Sequence, residues 1–333
     1  MNRLACIFVL IAATASLHAA PATALAFTPD GAILASGAHR EVQLRSVPSG
    51  KITAGFPAEF SRISSLAFSS DGDYLALAGG TPGESGAASI LSWDGKSIEH
   101  RFTNFTDLVT AAKFNHDAAW LAVASADASA FLFPLESSRR EAIELRGHSG
   151  PVLDIAWSSK GNILVTASAD RSLKVWSAAD GELLRSFSQH TEPVHAVVFR
   201  PRSDPSDESP IQCASASDDG TVRIWQPTIG RMVRIIRGHD APVFTVAYTP
   251  DGQKLFSAGK DGIVRRLDTD SDQILGEWKA HTEPIYHIAI SPDGQHLATG
   301  DWSGKERLWR IVGDQLVGGQ SGIEPRMDTN QHE

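Results

Sequence analysis

Residues 146–152 read RGHSGPV, and RGHDAPV returns at 237–243. SQHTEPV at 188–194 and KAHTEPI at 279–285 are weaker copies. In all four, a His stands four residues ahead of a β-branched residue that follows a Pro. These residues, His148, His190, His239 and His281, lie 42, 49 and 42 residues apart. The chemistry of the chain turns on what the repeated His does. It is either a ligand or catalyst used several times, or a building part used several times.

The copy at 146–187 shows what surrounds it. Four short runs of β character, VLDIAW, ILVTAS, SLKVWS and ELLRSF, are separated by SSKGN, SADR and SAADG. These separators are rich in Ser, Gly, Asp and Asn, the residues of tight turns. Four short antiparallel strands make one twisted sheet. A period of 40–45 residues is that of a radial array of such sheets.

The pattern runs through most of the chain. Copies span about 23–57, 58–103, 104–145, 146–187, 188–236, 237–278 and 279–319. The fifth is longer because it contains RSDPSDES, which accounts for the 49-residue step. Residues 320–333 are polar and patternless and read as a disordered tail. The expectation is an all-β, seven-bladed β-propeller of four-stranded antiparallel blades.

The copies resemble WD40 repeats over about 22–319. The residues that carry the resemblance are Gly147-His148 and Gly238-His239, the turns Pro250-Asp251-Gly252 and Pro292-Asp293-Gly294, and the turn residues Asp127, Asp170, Asp219 and Asp261. Trp93-Asp94, Trp176, Trp225 and Trp309 stand at the closing position. Copies 1–3 lack the His, with Glu59 and Phe105 at its place in copies 2 and 3. The sixth has Leu267 for Trp, and the seventh has Ser303 for the turn Asp.

The resemblance implies that each His bonds the turn Asp of its own blade and a Ser or Thr of the second strand, which reaches the Trp indole. The sets are His148, Thr166, Asp170 and Trp176 in copy 4, and His190, Ser215, Asp219 and Trp225 in copy 5. A His, a hydroxyl and an Asp could be read as a nucleophilic triad. A catalytic triad is built once per domain, however, and this set is stamped on several blades with a Trp that hydrolysis does not need. The His is therefore expected to be structural, and no catalytic residue is assigned.

The remaining motifs carry no chemistry either. The twelve His show no metal-ligand spacing, the PDG turns lack a Ca²⁺ loop's carboxylates, and no phosphate-binding glycine loop is present. No metal or cofactor is expected. GGTPGESG (79–86) reads as a long loop between the second and third strands of blade 2. Net charge is −9 and pI about 5.7, which argues against nucleic acid as a partner.

The N-terminus resembles a secretory signal. Met-Asn-Arg precedes the uncharged run LACIFVLIAATASL and small residues follow, with Ala20-Pro21-Ala22 as one fitting cleavage site. Residues 1–22 are read as a signal peptide, and the mature chain as a monomeric, exported protein, periplasmic or extracellular, without membrane insertion. This makes it similar to bacterial-type exported members of the family. Cys213 is then the lone cysteine and is expected to be a buried apolar residue.

In the family, partners bind the top face through the residues three and five positions after the His and the one before the turn Asp. Carried over, these are Arg62, His195, Asp218, Phe244, Lys260, Tyr286 and Trp302. The expected function is a non-enzymatic scaffold for protein partners. The alternative is a propeller enzyme or small-ligand binder that uses the channel mouth. Copy 7 supplies four strands of its own, so the ring is expected to close by side-chain packing between blades 1 and 7, without strand exchange.

Overall fold

The computed structural model describes residues 24–135, 141–202 and 209–321. The signal-like segment 1–22, most of RSDPSDES and the tail beyond 321 lie outside the described residues. The described chain forms seven four-stranded antiparallel sheets. The inner strands are Leu25–Phe27, Arg62–Phe68, Val109–Phe114, Val152–Trp157, Val194–Phe199, Val243–Tyr248 and Ile285–Ile290. The molecule is an all-β, seven-bladed propeller, with no helix among the described residues.

Burial follows from each strand's place in its blade. The second strands Ile163–Ser168 and Cys213–Ser217 are buried along their whole length. The outer strand Leu183–Phe187 is exposed except at Phe187. A sheet buried on both faces needs apolar neighbours on both sides, and the adjacent blades supply them. One core joins Val165 and Val175 of blade 4 to Val197, Cys213 and Trp225 of blade 5. Another joins Ala122 and Leu132 of blade 3 to Ile155, Leu164 and Trp176 of blade 4. Cys213 is fully buried, and burial pushes its thiol pKa upward, away from thiolate chemistry.

Turn chemistry is repeated with the sheets. Asp251 Oδ1 accepts the Thr249 hydroxyl and the Gln253 N–H, and Gly252 follows at φ +66°. The third copy holds the same bend with Ala118 at φ +53°. GGTPGESG corrects the expectation of a long loop. It is a tight hairpin, with Gly80 opposite Gly86 and Thr81 opposite Ser85. The glycines are there because a Cβ on Gly80 would meet the Ser85 carbonyl and one on Gly86 the Asp107 carbonyl. Asp107 also accepts the Gly83 N–H at 2.6 Å, which ties the tip to blade 3.

The His networks lie inside the blades. In blade 4, His148 Nδ1 is 2.8 Å from Asp170 and Nε2 is 2.7 Å from Thr166 Oγ1, while Trp176 Nε1 donates to the same oxygen at 2.9 Å. In blade 5, His190 meets Asp219 at 2.7 Å and Ser215 at 2.8 Å, and Trp225 donates to Ser215 at 2.8 Å. The hydroxyl in each set is fully buried and already holds an indole N–H, so it is not presented to a substrate.

Departures from the pattern are compensated locally. In blade 7, Ser303 does stand at the turn position, yet His281 still finds a carboxylate. Asp301, two residues earlier, meets its Nδ1 at 2.8 Å, and Thr299 and Trp309 complete the set. Sequence comparison of turn positions missed this, because the carboxylate comes from a position held by Ser in blades 4 and 5. In blade 6, Arg265 stands between His239 and Asp261 and donates to His239 Nδ1 at 2.8 Å. His239 Nε2 is then the donor to Ser257, which has no indole to satisfy because Leu267 replaces Trp. In blade 3 an apolar cluster takes the place of the network. Phe105 is buried edge-on against Phe131 and Phe133.

Inner strands are also stitched to their neighbours. Ser65 Oγ accepts the Ala112 N–H at 3.2 Å, Asp154 the Val197 N–H at 2.9 Å and Thr245 Oγ1 the Ile288 N–H at 3.4 Å. These three side chains hold one equivalent position in blades 2, 4 and 6.

The ring closes between blades 7 and 1. Blade 7 takes all four strands, Ile285–Ile290, His296–Asp301, Glu306–Val312 and Gln315–Ser321, from its own copy, so no strand is exchanged among the described residues. The seam core is small, with only Leu25, Phe27, Leu34 and Ala298 buried. An ion pair supplements it, Arg45 Nε to Glu306 at 2.6 Å, both side chains largely buried.

Two outcomes follow. His148→Ala or Asp170→Ala should cost about 1–3 kcal/mol of stability in chemical denaturation, because each strands a buried partner, and leave ligand recognition by the folded protein unchanged. Wild-type stability with lost recognition would contradict the structural role. At the seam, amides of 24–28 and 285–290 should exchange with deuterium sooner than those of 152–157, since the least apolar surface is buried there. Equal or slower exchange at the seam would contradict side-chain closure as the weakest junction.

Stability should also depend on pH. Burial, the largest cause, holds the pKa of His148 and of His190 below the ordinary value. Burial and the Arg265 charge take His239 down to about 4. Unfolded histidines bind a proton near pH 6.5, so this contribution is complete above that value and is lost as pH falls toward 4. The melting midpoint should therefore drop between pH 7 and pH 5. A flat profile over that range would show that these histidines are not buried in neutral form.

Candidate functional site

The top-face residues come from two kinds of position, the start of an inner strand and the turn after a second strand. Fold symmetry brings both to the channel mouth. Asp218 Oδ1 is 2.8 Å from His195 Nε2. The His195 ring meets Phe244 edge-on at 5.0 Å. Phe244 stacks on Tyr286 at 4.9 Å with an interplanar angle of 16°, and Tyr286 leans on Trp302 at 5.3 Å. Five of the seven residues thus form one unbroken row over blades 5, 6 and 7.

The row is open to solvent at its end. Trp302 is 48% exposed, the largest exposure of any aromatic side chain among the exposed apolar residues. Its backbone N–H donates to the Pro284 carbonyl at 3.0 Å, as Asp218 does to Pro193 and Lys260 to Pro242, so the turns of blades 5–7 are held alike. Phe244 and Tyr286 are half-buried, each ring covered by its neighbours in the row. Burial raises the Tyr286 hydroxyl pKa; Arg62 opposes that shift and Asp218 adds to it.

The other two residues stand apart. Lys260 is exposed at the turn of blade 6 and makes no ring or ion-pair contact with the row among the described residues. Arg62, from blade 2, reaches the mouth opposite the row, where its charge acts on Tyr286, and its Nε is buried without a hydrogen-bond partner.

Below the mouth the structure exposes residues that the sequence reading did not single out. Lys113, Asp154 and His287 line the channel from the inner strands of blades 3, 4 and 7. A signal for them existed. At the position of Asp154 and His287 the other inner strands carry Ala24, Ser65, Ala111, Ala196 and Thr245, and at that of Lys113 they carry mostly Ala. Asp154 accepts the N–H groups of Ile155 and Val197, both at 2.9 Å. Burial nevertheless raises its pKa, with Lys113 and the two amides pulling the other way. Burial and Lys113 push His287 down to about 3.

Comparison with known proteins agrees with this architecture. The WD40 description "WD domain, G-beta repeat" matches residues 139–177, 181–226, 230–266 and 272–310. The chain is 35% identical over 104 residues to Protein SEC13 homolog of Drosophila melanogaster, covering 30% of this chain and 29% of that protein. It is 30% identical over 135 residues to COMPASS component SWD3 of Saccharomyces cerevisiae, covering 39% of each. It is 30% identical over 97 residues to the U5 small nuclear ribonucleoprotein 40 kDa protein of Dictyostelium discoideum, covering 29% of this chain and 27% of that protein. The matches thus span well under half of these relatives. All three are eukaryotic, which lends no support to a bacterial-type member. Four matched repeats, on a ring whose seven blades share one build, place this chain in the WD40 repeat family.

Proposed function

We propose that this chain is a non-enzymatic interaction platform that binds a protein partner over the top face of blades 5–7. The observation that carries this reading is the continuous row Asp218–His195–Phe244–Tyr286–Trp302. Aromatic rings that are already packed lose little conformational freedom on binding, and beside charged groups they make the usual hot-spot composition. Arg62 and Lys260 would contribute at the rim. Two relatives are, by their names, a component of COMPASS and a protein of the U5 ribonucleoprotein. Membership in an assembly is the role that this reading carries over, not their particular partners.

Export is part of the same proposal. It rests on the signal-like residues 1–22, and the mature protein would act as a monomer outside the cytoplasm without nucleic acid or membrane insertion. N-terminal sequencing of the protein from its source should find chains that begin close to residue 23. Intact chains that begin at Met1 and stay with the cytoplasm would overturn export while leaving the platform reading in place.

The platform is tested with Tyr286→Ala and Trp302→Ala together. Quantitative pull-down against the source extract should lose the wild-type partner by tenfold or more, with the melting midpoint shifted by only a few degrees. A large fall in the midpoint with unchanged partner recovery would assign both rings to the core.

A further inference from the structure

The channel beneath the aromatic row has a chemistry of its own. A cavity of about 880 Å³ runs along it, walled by the inner strands of all seven blades. That volume suits a small molecule or one inserted side chain. Most of the wall is apolar, from Leu25 and Phe27 through Leu66, Val198 and Ile288. Besides His195 and Tyr286 of the aromatic row at its mouth, four ionisable groups interrupt it: Arg62, Lys113, Asp154 and His287.

Asp154 has a structural task, since its carboxylate joins the inner strands of blades 4 and 5. The nitrogens have none. His287 Nδ1 and Arg62 Nε are buried and hydrogen-bond to nothing. In blades 2, 4 and 6 the position of His287 bridges to the next blade. In blade 7 its Nδ1 makes no such bridge. Lys113 lines the same cavity, and its charge acts on both Asp154 and His287, which lie three blades apart. Buried nitrogens without partners are uncommon and call for a cause. Two of them on one cavity wall, with the Lys113 ammonium beside them, in a chain of net charge −9, describe a local site for negative charge.

We propose that the channel binds a small monocarboxylate with an apolar body. The carboxylate lies on Lys113 Nζ and His287 Nδ1, and Arg62 stands over it at the mouth. Arg62 and Lys113 carry the positive charge and the carboxyl groups of Asp154 and Asp218 partly offset it, so the site suits a monocarboxylate rather than a phosphate dianion. The apolar wall, with Phe244 and Tyr286 at the mouth, accepts the rest of the molecule. The carboxylate could belong to a free acid or to a Glu side chain of a protein. This site does not depend on the top-face reading, because a small acid fills it without any partner.

The experiment is a titration of the full chain with benzoate, followed by the imidazole signals of His287 and by calorimetry. Benzamide serves as the uncharged control, and the blocked dipeptide N-acetyl-Phe-Glu-amide as the protein-like source. Saturable binding of benzoate or of the dipeptide, with His287 shifted and benzamide inert, is the expected result. Benzoate alone points to a free acid; the dipeptide points to a partner's side chain. Lys113→Gln should weaken binding tenfold or more, while Asp154→Asn should tighten it several-fold. A Lys113 that merely balances Asp154 would produce neither change. Should Lys113→Gln fail to fold, Arg62→Gln reads the same dependence on charge. Failure of both carboxylates to bind, equal binding of benzamide, or indifference to the charge substitutions would overturn the proposal.

Discussion

No blade of this protein can bury its own faces. A four-stranded sheet has two apolar sides and no layer of its own to cover them, so each core lies between blades rather than within one. Burial at roughly 25 cal/mol per Å² is available only when neighbours are in place. The blades therefore stand or fall together, and closing the circle is a condition for the whole. The junction of blades 7 and 1 is where this condition is met most thinly. Its core is only four buried residues, Leu25, Phe27, Leu34 and Ala298, and an ion pair.

The His networks serve the same constraint. Close packing between blades buries the polar atoms at each blade's edge, and those atoms need partners. The chain Trp176 to Thr166 to His148 to Asp170 supplies them in a directed line, each group donating to the next. Its resemblance to a nucleophilic triad is real in geometry and ends at access, for Thr166 is sealed and already occupied. The variants make the same point. Asp301 replaces a missing carboxylate, Arg265 reverses the donor sense at His239, and Phe105 abandons polarity for packing. The blades keep their shape through all three.

Much of this was legible in the sequence because the constraint repeats. Seven copies with one spacing expose the blade count, and the turn residues expose the strand breaks. What repetition could not reveal was compensation, since Asp301 lies outside the column in which a turn Asp is sought. Composition misled at GGTPGESG, where glycine marks close backbone approach rather than a loop. The aromatic row was foreseeable residue by residue from the family's top-face positions, yet its continuity is a property of neighbouring blades in space. Lys113, Asp154 and His287 were hidden for the opposite reason, as isolated titratable residues on separate blades in two columns otherwise held by small, uncharged residues.

Whether the repeated histidine is a neutral, buried building part can be read from the imidazole nitrogen NMR signals of His148 and His190 across pH. Both should carry their proton on Nδ1, toward Asp170 and Asp219, and both should titrate below the ordinary value of 6.5. A pKa above 6.5 at either residue, or a proton resting on Nε2, would contradict that role.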